Sequence, residues 1–370
     1  MKIMLLSAML AASLTTSLLA QTADGAAQQA SDTIAYTDAS QLRIVNRAFS
    51  DVANPYQRLP EGIKPTVRKD VWHLAGNSAG IAVRFRTNSH FVATRYSLTN
   101  NVVMNHMAPT GIKGVDLYAL TPDGTWRYVM TGRPKGKENE LVLIDNMEPQ
   151  EREYMLYLPL YDGVESLEIG VSRDARIDAG EAAVPQAERP VVFYGTSITQ
   201  GGCASRPGMA YTNILSRRLG REVINLGFSG NGKLDLDVAQ QMARLDTSVY
   251  VIDCLPNCTA ELVREQGLTF LEILRKAHPD VPIVMTEGPY FPHQDYNTSL
   301  RATLSEKTAA WHDVYEAFRA KYPDNVYYVG REGFAGIDHE SFVDGTHLTD
   351  LGFQRVADTL EPVLRPLVEK

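Results

Sequence analysis

The chain has 370 residues, of which 44% are hydrophobic and 22% charged, which is the make-up of an ordinary globular protein with enough length for two domains. Its formal net charge of −8 argues against nucleic acid or an anionic membrane surface as the main partner.

The chain opens with Met1-Lys2 and an apolar run, IMLLSAMLAASLTTSLLA. One basic residue, an apolar centre and the small Ala20 before Gln21 predict a secretory signal peptide over residues 1–20. A membrane anchor is the alternative, because the run approaches spanning length. The Ser and Thr within it, and the polar stretch QTADGAAQQASDT after it, favour cleavage and a disordered linker over residues 21–33. No Cys follows the run, so a lipid anchor is not expected, and no later segment is long and apolar enough to span a bilayer. The expectation is an exported protein, periplasmic or extracellular.

Residues 34–185 carry the signature of β structure. Ile81, Val83 and Phe85 alternate with Ala82, Arg84 and Arg86, the period-two pattern of a half-buried strand. Further strands are predicted over residues 90–98, 140–144, 154–160 and 167–171. Val115–Leu120 and Thr125–Met130 flank Pro122-Asp123-Gly124 and read as a hairpin. Strands every eight to twelve residues without a convincing helix predict a sandwich or jelly roll. His73 beside Trp72, and His106 between Met104 and Met107, are isolated and read as structural. Trp72, Trp126, Tyr118 and Tyr128 could form a sugar-stacking platform, but a β core uses the same residues. The Ala-, Glu- and Pro-rich stretch DAGEAAVPQAERP, residues 178–190, reads as a linker.

The pattern changes over residues 190–370. Short β-branched runs at Val191–Tyr194, Glu222–Leu226, Val249–Cys254, Val281–Met285 and Asn325–Val329 alternate with helical stretches at Met209–Leu219, Glu261–Ala277, Leu300–Tyr322 and Leu351–Val368. Such alternation predicts a parallel sheet covered by helices on both faces.

Four loops follow the carboxyl ends of these strands, where open α/β sheets place their ligands. The first carries Gly195-Thr196-Ser197-Ile198. By itself, Ser197 is either a turn-capping residue or a nucleophile. The second is the Gly-rich run Gly227-Phe228-Ser229-Gly230-Asn231-Gly232, the third Asp253-Cys254-Leu255-Pro256-Asn257-Cys258, and the last Asp344-Gly345-Thr346-His347.

Together these residues resemble the four blocks of the SGNH (GDSL-type) hydrolase family, over residues 190–370. Gly195-Thr196-Ser197-Ile198 matches the first block, Gly230 the second, Asn257 the third and Asp344-x-x-His347 the last. The family usually has Asp where Thr196 stands, and Gly and Asp where Leu255 and Cys258 stand. Ser197 also lacks the Gly-x-Ser-x-Gly elbow of α/β-hydrolase lipases, since Thr199 holds the last position. The resemblance implies a three-layer α/β/α, flavodoxin-like catalytic domain behind the β-sandwich. It implies Ser197 as nucleophile, His347 as its base and Asp344 as the carboxylate that orients the imidazole. The oxyanion donors would be the backbone N–H groups of Ser197 and Gly230 and the Asn257 amide. No metal or organic cofactor is required for such acyl transfer.

If that fold holds, the loops of Cys203 and Cys258 meet at the rim, and a Cys203–Cys258 disulfide is expected, with Cys254 a buried thiol. The Cys254-x3-Cys258 spacing is a weak metal motif, and Asp338-His339-Glu340 reads as a solvated turn. Arg206, Tyr211, Asn213, Tyr290, Phe291 and His293 are candidate substrate contacts. A β-domain ahead of an SGNH domain is similar to bacterial carbohydrate esterases. The expected activity is therefore removal of O-acetyl groups from an acylated oligosaccharide or polysaccharide. The alternatives are a lysophospholipase or thioesterase, and a glycan-binding protein that no longer turns over. Neither a nucleic-acid nor a membrane partner is expected, and the sequence leaves the oligomeric state open.

Overall fold

The structure is a computed structural model and describes residues 34–180 and 189–369. The expected leader, the linker at 21–33 and most of the 178–190 linker lie outside these residues. Among the described residues, no helix is long and apolar enough to cross a membrane.

Ten strands form the first part: β1 Ile34–Asp38, β2 Arg43–Val45, β3 Ala82–Thr87, β4 Val92–Leu98, β5 Val115–Leu120, β6 Trp126–Gly132, β7 Glu138–Ile144, β8 Arg152–Tyr157, β9 Val164–Ser172 and β10 Ile177–Asp178. They pair antiparallel into two sheets, in the orders β1-β9-β4-β7 and β10-β3-β8-β5-β6, with β2 also on β3. Alternation decides the packing. Val83 and Phe85 of β3, Tyr96 and Leu98 of β4, Leu156 of β8, and Ile169 and Val171 of β9 meet in one apolar core. Arg84 emerges on the opposite face of β3 and pairs with the Glu153 carboxylate, both side chains being buried. The β5–β6 hairpin turns at Gly124, whose φ of +81° is where glycine is favoured.

Two features depart from an all-β reading. Helices occur at Lys69–Ala75 and Pro109–Lys113. The first belongs to a segment that leaves the sandwich. Phe49, Leu59, Ile63, Val67, Val71 and Ala75 pack into the core of the parallel sheet, beside Val192, Ile224, Leu226 and Val238. Val71 and Ala75 lie one helical turn apart and bury a single face, too short a signal to stand out in the sequence.

The second part is a five-stranded parallel sheet of β11 Val191–Gly195, β12 Val223–Gly227, β13 Val249–Asp253, β14 Ile283–Thr286 and β15 Val326–Val329, in the order β12-β11-β13-β14-β15. These strands are apolar on both faces because helices cover both. Val192, Tyr194, Tyr250 and Ile252 face the helices Leu236–Met242, Ala260–Ala277 and Thr298–Lys321. Val191, Phe193, Val249 and Val251 face Tyr211–Leu219 and Asp350–Val368. This is the expected α/β/α layering. The order reverses at β11, so the loops after β11, β12 and β13 diverge around a crevice.

Buried polar ties join the two parts. Asp116 of β5 is fully buried and accepts from the Arg206 guanidinium at 2.8 Å, from Gly208 N at 2.8 Å and from Thr131 Oγ1 at 2.5 Å. Burial raises its carboxyl pKa, against the lowering effect of Arg206 and the hydrogen bonds. Arg58, 2% exposed, donates to the carbonyls of Asn77 (2.8 Å), Leu74 (2.6 Å), Asn225 (3.2 Å) and Gly227 (2.6 Å). Its burial among carbonyls lowers the guanidinium pKa to about 9.

Candidate active site

Ser197 is the first residue of a one-turn helix, Ser197–Gln200, at the end of β11. Thr196 caps it: its Oγ1 accepts from Ile198 N at 3.2 Å, and its own N–H donates to Thr199 Oγ1 at 3.2 Å. Thr196 thus supplies the capping oxygen that an Asp would supply at that position. As the first helical residue, Ser197 has an N–H with no partner inside the helix.

The turn rests on a buried carboxylate. Asp253, at the end of β13, accepts from Thr199 Oγ1 at 3.0 Å, Tyr211 OH at 2.7 Å and Thr286 Oγ1 at 2.6 Å. Burial raises its pKa, while the three hydroxyl bonds act in the opposite sense. Gly232 brings the Gly-rich loop against the same turn, where a Cβ would stand 2.2 Å from Gly195 O. Gln200 is fully buried and bridges outward, donating to Leu160 O at 3.0 Å and accepting from Ser229 N at 3.0 Å. Tyr161 OH donates to Ser197 O at 3.2 Å.

The last loop brings the base. His347 Nε2 lies 3.0 Å from Ser197 Oγ, and His347 Nδ1 lies 2.8 Å from Asp344 Oδ2. Asp344 Oδ1 also accepts from His347 N at 2.7 Å and Thr346 N at 3.0 Å. Partial burial raises the Asp344 pKa, but the bonds from the His347 ring and these two amides outweigh it and hold the carboxyl at about 2. The carboxylate is therefore ionised at neutral pH and fixes the Nδ1–H tautomer. An imidazole so placed can take a hydroxyl proton as the oxygen attacks a carbonyl.

Asn257 closes a short turn, Leu255–Asn257. Its Oδ1 accepts from Gly232 N at 3.3 Å, so the amide nitrogen is the end left to donate. Gly230, at φ +66°, presents its backbone with open space around the Cα.

Beside this loop lies a cleft of about 270 Å³, lined by Ser229, Asn231 and Tyr161 and, from the N-terminal part, by Asp70, His73, Leu74, Asn77, Val102 and Met104. His73 thus faces a cleft. His106, also read as structural, has its ring centroid 5.4 Å from that of His347. A solitary histidine in a loop gives no sequence signal for such a meeting. Arg58 and Gln200 likewise give none, and Asp253 stands in the third candidate loop with no role that the sequence assigns to it.

Several candidate contacts are held in structural roles. Tyr211 is fully buried behind the nucleophile turn, and Asn213 is buried with its amide donating to Pro207 O at 2.8 Å. Arg206 is committed to Asp116 and to Tyr118 OH, at 2.7 Å, and lies 4.0 Å from the Tyr128 ring centroid. Tyr290 bonds Asp295 within its own loop, and Phe291 is buried. His293 packs against Gly345, next to the Asp344 carboxylate. Asp338 pairs with Arg355 at 2.6 Å.

The expected Cys203–Cys258 disulfide is not formed; all three cysteines are free and buried. Cys203 belongs to the core on one face of the parallel sheet, whereas Cys254 and Cys258 belong to the core on the other. Cys258 Sγ instead lies 3.4 Å from Cys254 O. Burial and the nearby Asp344 carboxylate push the Cys203 thiol up to about 12, so it stays protonated.

The GDSL-like lipase/acylhydrolase family profile matches residues 188–365, and a profile described as the N-terminus of SGNH-hydrolase-type esterases matches residues 34–177. No curated protein matches the chain. A crystal structure described as a GDSL-like lipase from Bacteroides ovatus is 38% identical, with a TM-score of 0.86 over 91% of this chain and 98% of that one. The salicylyl-acyltransferase of a tetracycline biosynthetic pathway has the same fold, with a TM-score of 0.73 at 17% identity over 90% and 97% of the two chains. So does a family two carbohydrate esterase from Cellvibrio japonicus, with a TM-score of 0.58 at 14% identity over 91% and 98%. The chain belongs to the GDSL-like (SGNH) lipase/acylhydrolase family.

Proposed function

We propose that this protein is an exported serine esterase that removes small acyl groups, O-acetyl above all, from carbohydrates. Ser197 Oγ attacks the ester carbonyl carbon while its proton passes to His347 Nε2. Asp344 stabilises the imidazolium through Nδ1–H. Ser197 N, Gly230 N and the Asn257 amide stabilise the developing oxyanion. The imidazolium then gives its proton to the sugar oxygen as the ester C–O bond breaks, so the sugar departs as its alcohol and the acyl group stays on Ser197. Water, deprotonated by the same imidazole, cleaves the acyl-enzyme, releasing the acid and restoring Ser197.

The observation that carries this reading is the continuous relay from Asp344 to His347 to Ser197, at 2.8 and 3.0 Å. The carbohydrate assignment draws on the polar lining of the adjoining cleft, where Asp70, His73, Asn77 and Asn231 offer hydrogen bonds suited to sugar hydroxyls. It also draws on the shared fold with an acetyl xylan esterase from Butyrivibrio proteoclasticus. Export rests on the leader-like residues 1–20.

Acetate release from acetylated xylan and other acetylated glycans, run beside p-nitrophenyl esters of rising chain length, tests the assignment. Release from the glycans with preference for the acetyl ester is expected. Preference for long chains would favour a lysophospholipase or thioesterase. Equal turnover by wild type and Ser197→Ala would remove the enzyme reading altogether.

A further inference from the structure

We propose that His106, Cys203 and His347 form a site for a thiophilic divalent metal ion of the Zn²⁺ class, and that filling it silences the enzyme by drawing His347 away from Ser197. One ligand atom from each of the three lies within 4.8 Å of the others. Among the described residues they are the one group of three His, Cys or carboxylate side chains so placed. Imidazole nitrogen and sulfur are the donors such ions select, at about 2.0–2.1 and 2.3 Å from the metal. Tetrahedral bonds of that length set ligand atoms roughly 3.5 Å apart, so a contraction of at most about 1.3 Å from the 4.8 Å limit closes the site.

The rings are already oriented as metal-binding histidines are. Such rings hold one nitrogen on an outer acceptor and present the other. His347 Nδ1 faces Asp344 Oδ2 at 2.8 Å, and His106 Nδ1 faces Asn105 Oδ1 at 3.0 Å. On both rings Nε2 is the nitrogen left for a ligand. The His106 loop is fixed at its root: the fully buried Asp162 carboxylate accepts from the N–H groups of Asn100 (3.0 Å), Asn101 (2.9 Å) and Val102 (3.0 Å). Cys203 follows the nucleophile helix, so the three donors come from three separate loops.

The silencing follows from one lone pair. His347 Nε2 either accepts the Ser197 hydroxyl proton or binds the metal, and cannot do both. On binding, the Cys203 S–H bond breaks, its proton leaves to solvent and an S–metal bond forms, with no redox change. Water fills the fourth position.

The inhibition rests on the proposed esterase activity; the binding does not, and two measurements keep them apart. The first is Zn²⁺ titration of p-nitrophenyl acetate hydrolysis. Inhibition reversed by EDTA is expected in the wild type, with His106→Ala and Cys203→Ala requiring at least about tenfold more Zn²⁺. The second is Co²⁺ titration read by absorption, in the wild type and in Ser197→Ala. A thiolate-to-metal charge-transfer band is expected in both, and its loss in Cys203→Ala. Absence of the band in the wild type, or equal Zn²⁺ inhibition of all three proteins, would overturn the site. A band without inhibition would overturn the silencing.

Discussion

Replacing Asn257 by Ala separates two jobs of one side chain, the loop contact that the structure shows and the oxyanion contact that we propose. Its Oδ1 holds the Gly-rich loop through Gly232 N, in a half-buried bond of 3.3 Å. A bond that long is near the outer limit, and its loss costs about 0.5–1 kcal/mol of stability. Its amide nitrogen, by contrast, is the expected oxyanion donor. Loss of one such donor raises the barrier by about 2.7–4 kcal/mol, or ~10²–10³ in kcat, with little effect on KM. The two magnitudes differ enough to be told apart. Asn257→Asp sharpens the test, because it keeps the acceptor for Gly232 but turns the donor into a carboxylate facing the oxyanion. It should therefore match the wild type more closely in stability than Asn257→Ala does, yet be the poorer catalyst. Steady-state kinetics with p-nitrophenyl acetate and urea unfolding decide the matter. An Asn257→Ala enzyme with kcat near wild type and a clear loss of stability would show that Asn257 only braces the loop.

Other expectations follow from the same geometry. Asp344→Asn should lower kcat by ~10⁴, because the amide favours the wrong imidazole tautomer, and kinetics on the folded variant checks it. The Asp344 carboxyl sits at about 2 when folded, against 3.8 for the free group, so its stabilising contribution is complete above the free value and disappears as pH falls towards 2. The unfolding midpoints of wild type and Asp344→Asn should thus differ at neutral pH and converge in acid. Gly232→Ala sets a Cβ 2.2 Å from a backbone oxygen and should cost about 1–3 kcal/mol in urea unfolding, with a fall in kcat as the nucleophile turn shifts. Arg206→Ala strips the buried Asp116 of its cation and should destabilise by about 3 kcal/mol; an unchanged urea midpoint would refute that.

By itself, the sequence determined the pattern that hydrophobic periodicity and strand-end motifs encode. Alternation at Ile81–Arg86 marked a strand but implied one exposed face, whereas Ala82 and Arg84 are buried on that face too; the fully apolar Val191–Tyr194 marked a strand covered on both. Ser197, Gly230, Asn257, Asp344 and His347 stood out because together, and in order, they match the four blocks of a known family in loops that parallel strands deliver to one edge; none of them singly distinguished a catalytic residue from a turn residue. Tertiary structure alone decided the rest. Whether Cys203 can reach Cys258 depends on which face of the sheet each loop enters, and they enter opposite ones. Arg206 and Tyr211 resemble ligand contacts in a list of residues. Only packing shows one tied to Asp116 and the other sealed beneath Ser197. The excursion that carries Arg58 and Val71 into the parallel sheet, and the loop that sets His106 beside His347, join positions far apart in the chain. Local periodicity carries no information about such meetings, because burial and hydrogen-bond satisfaction are fixed only when separate segments share one core.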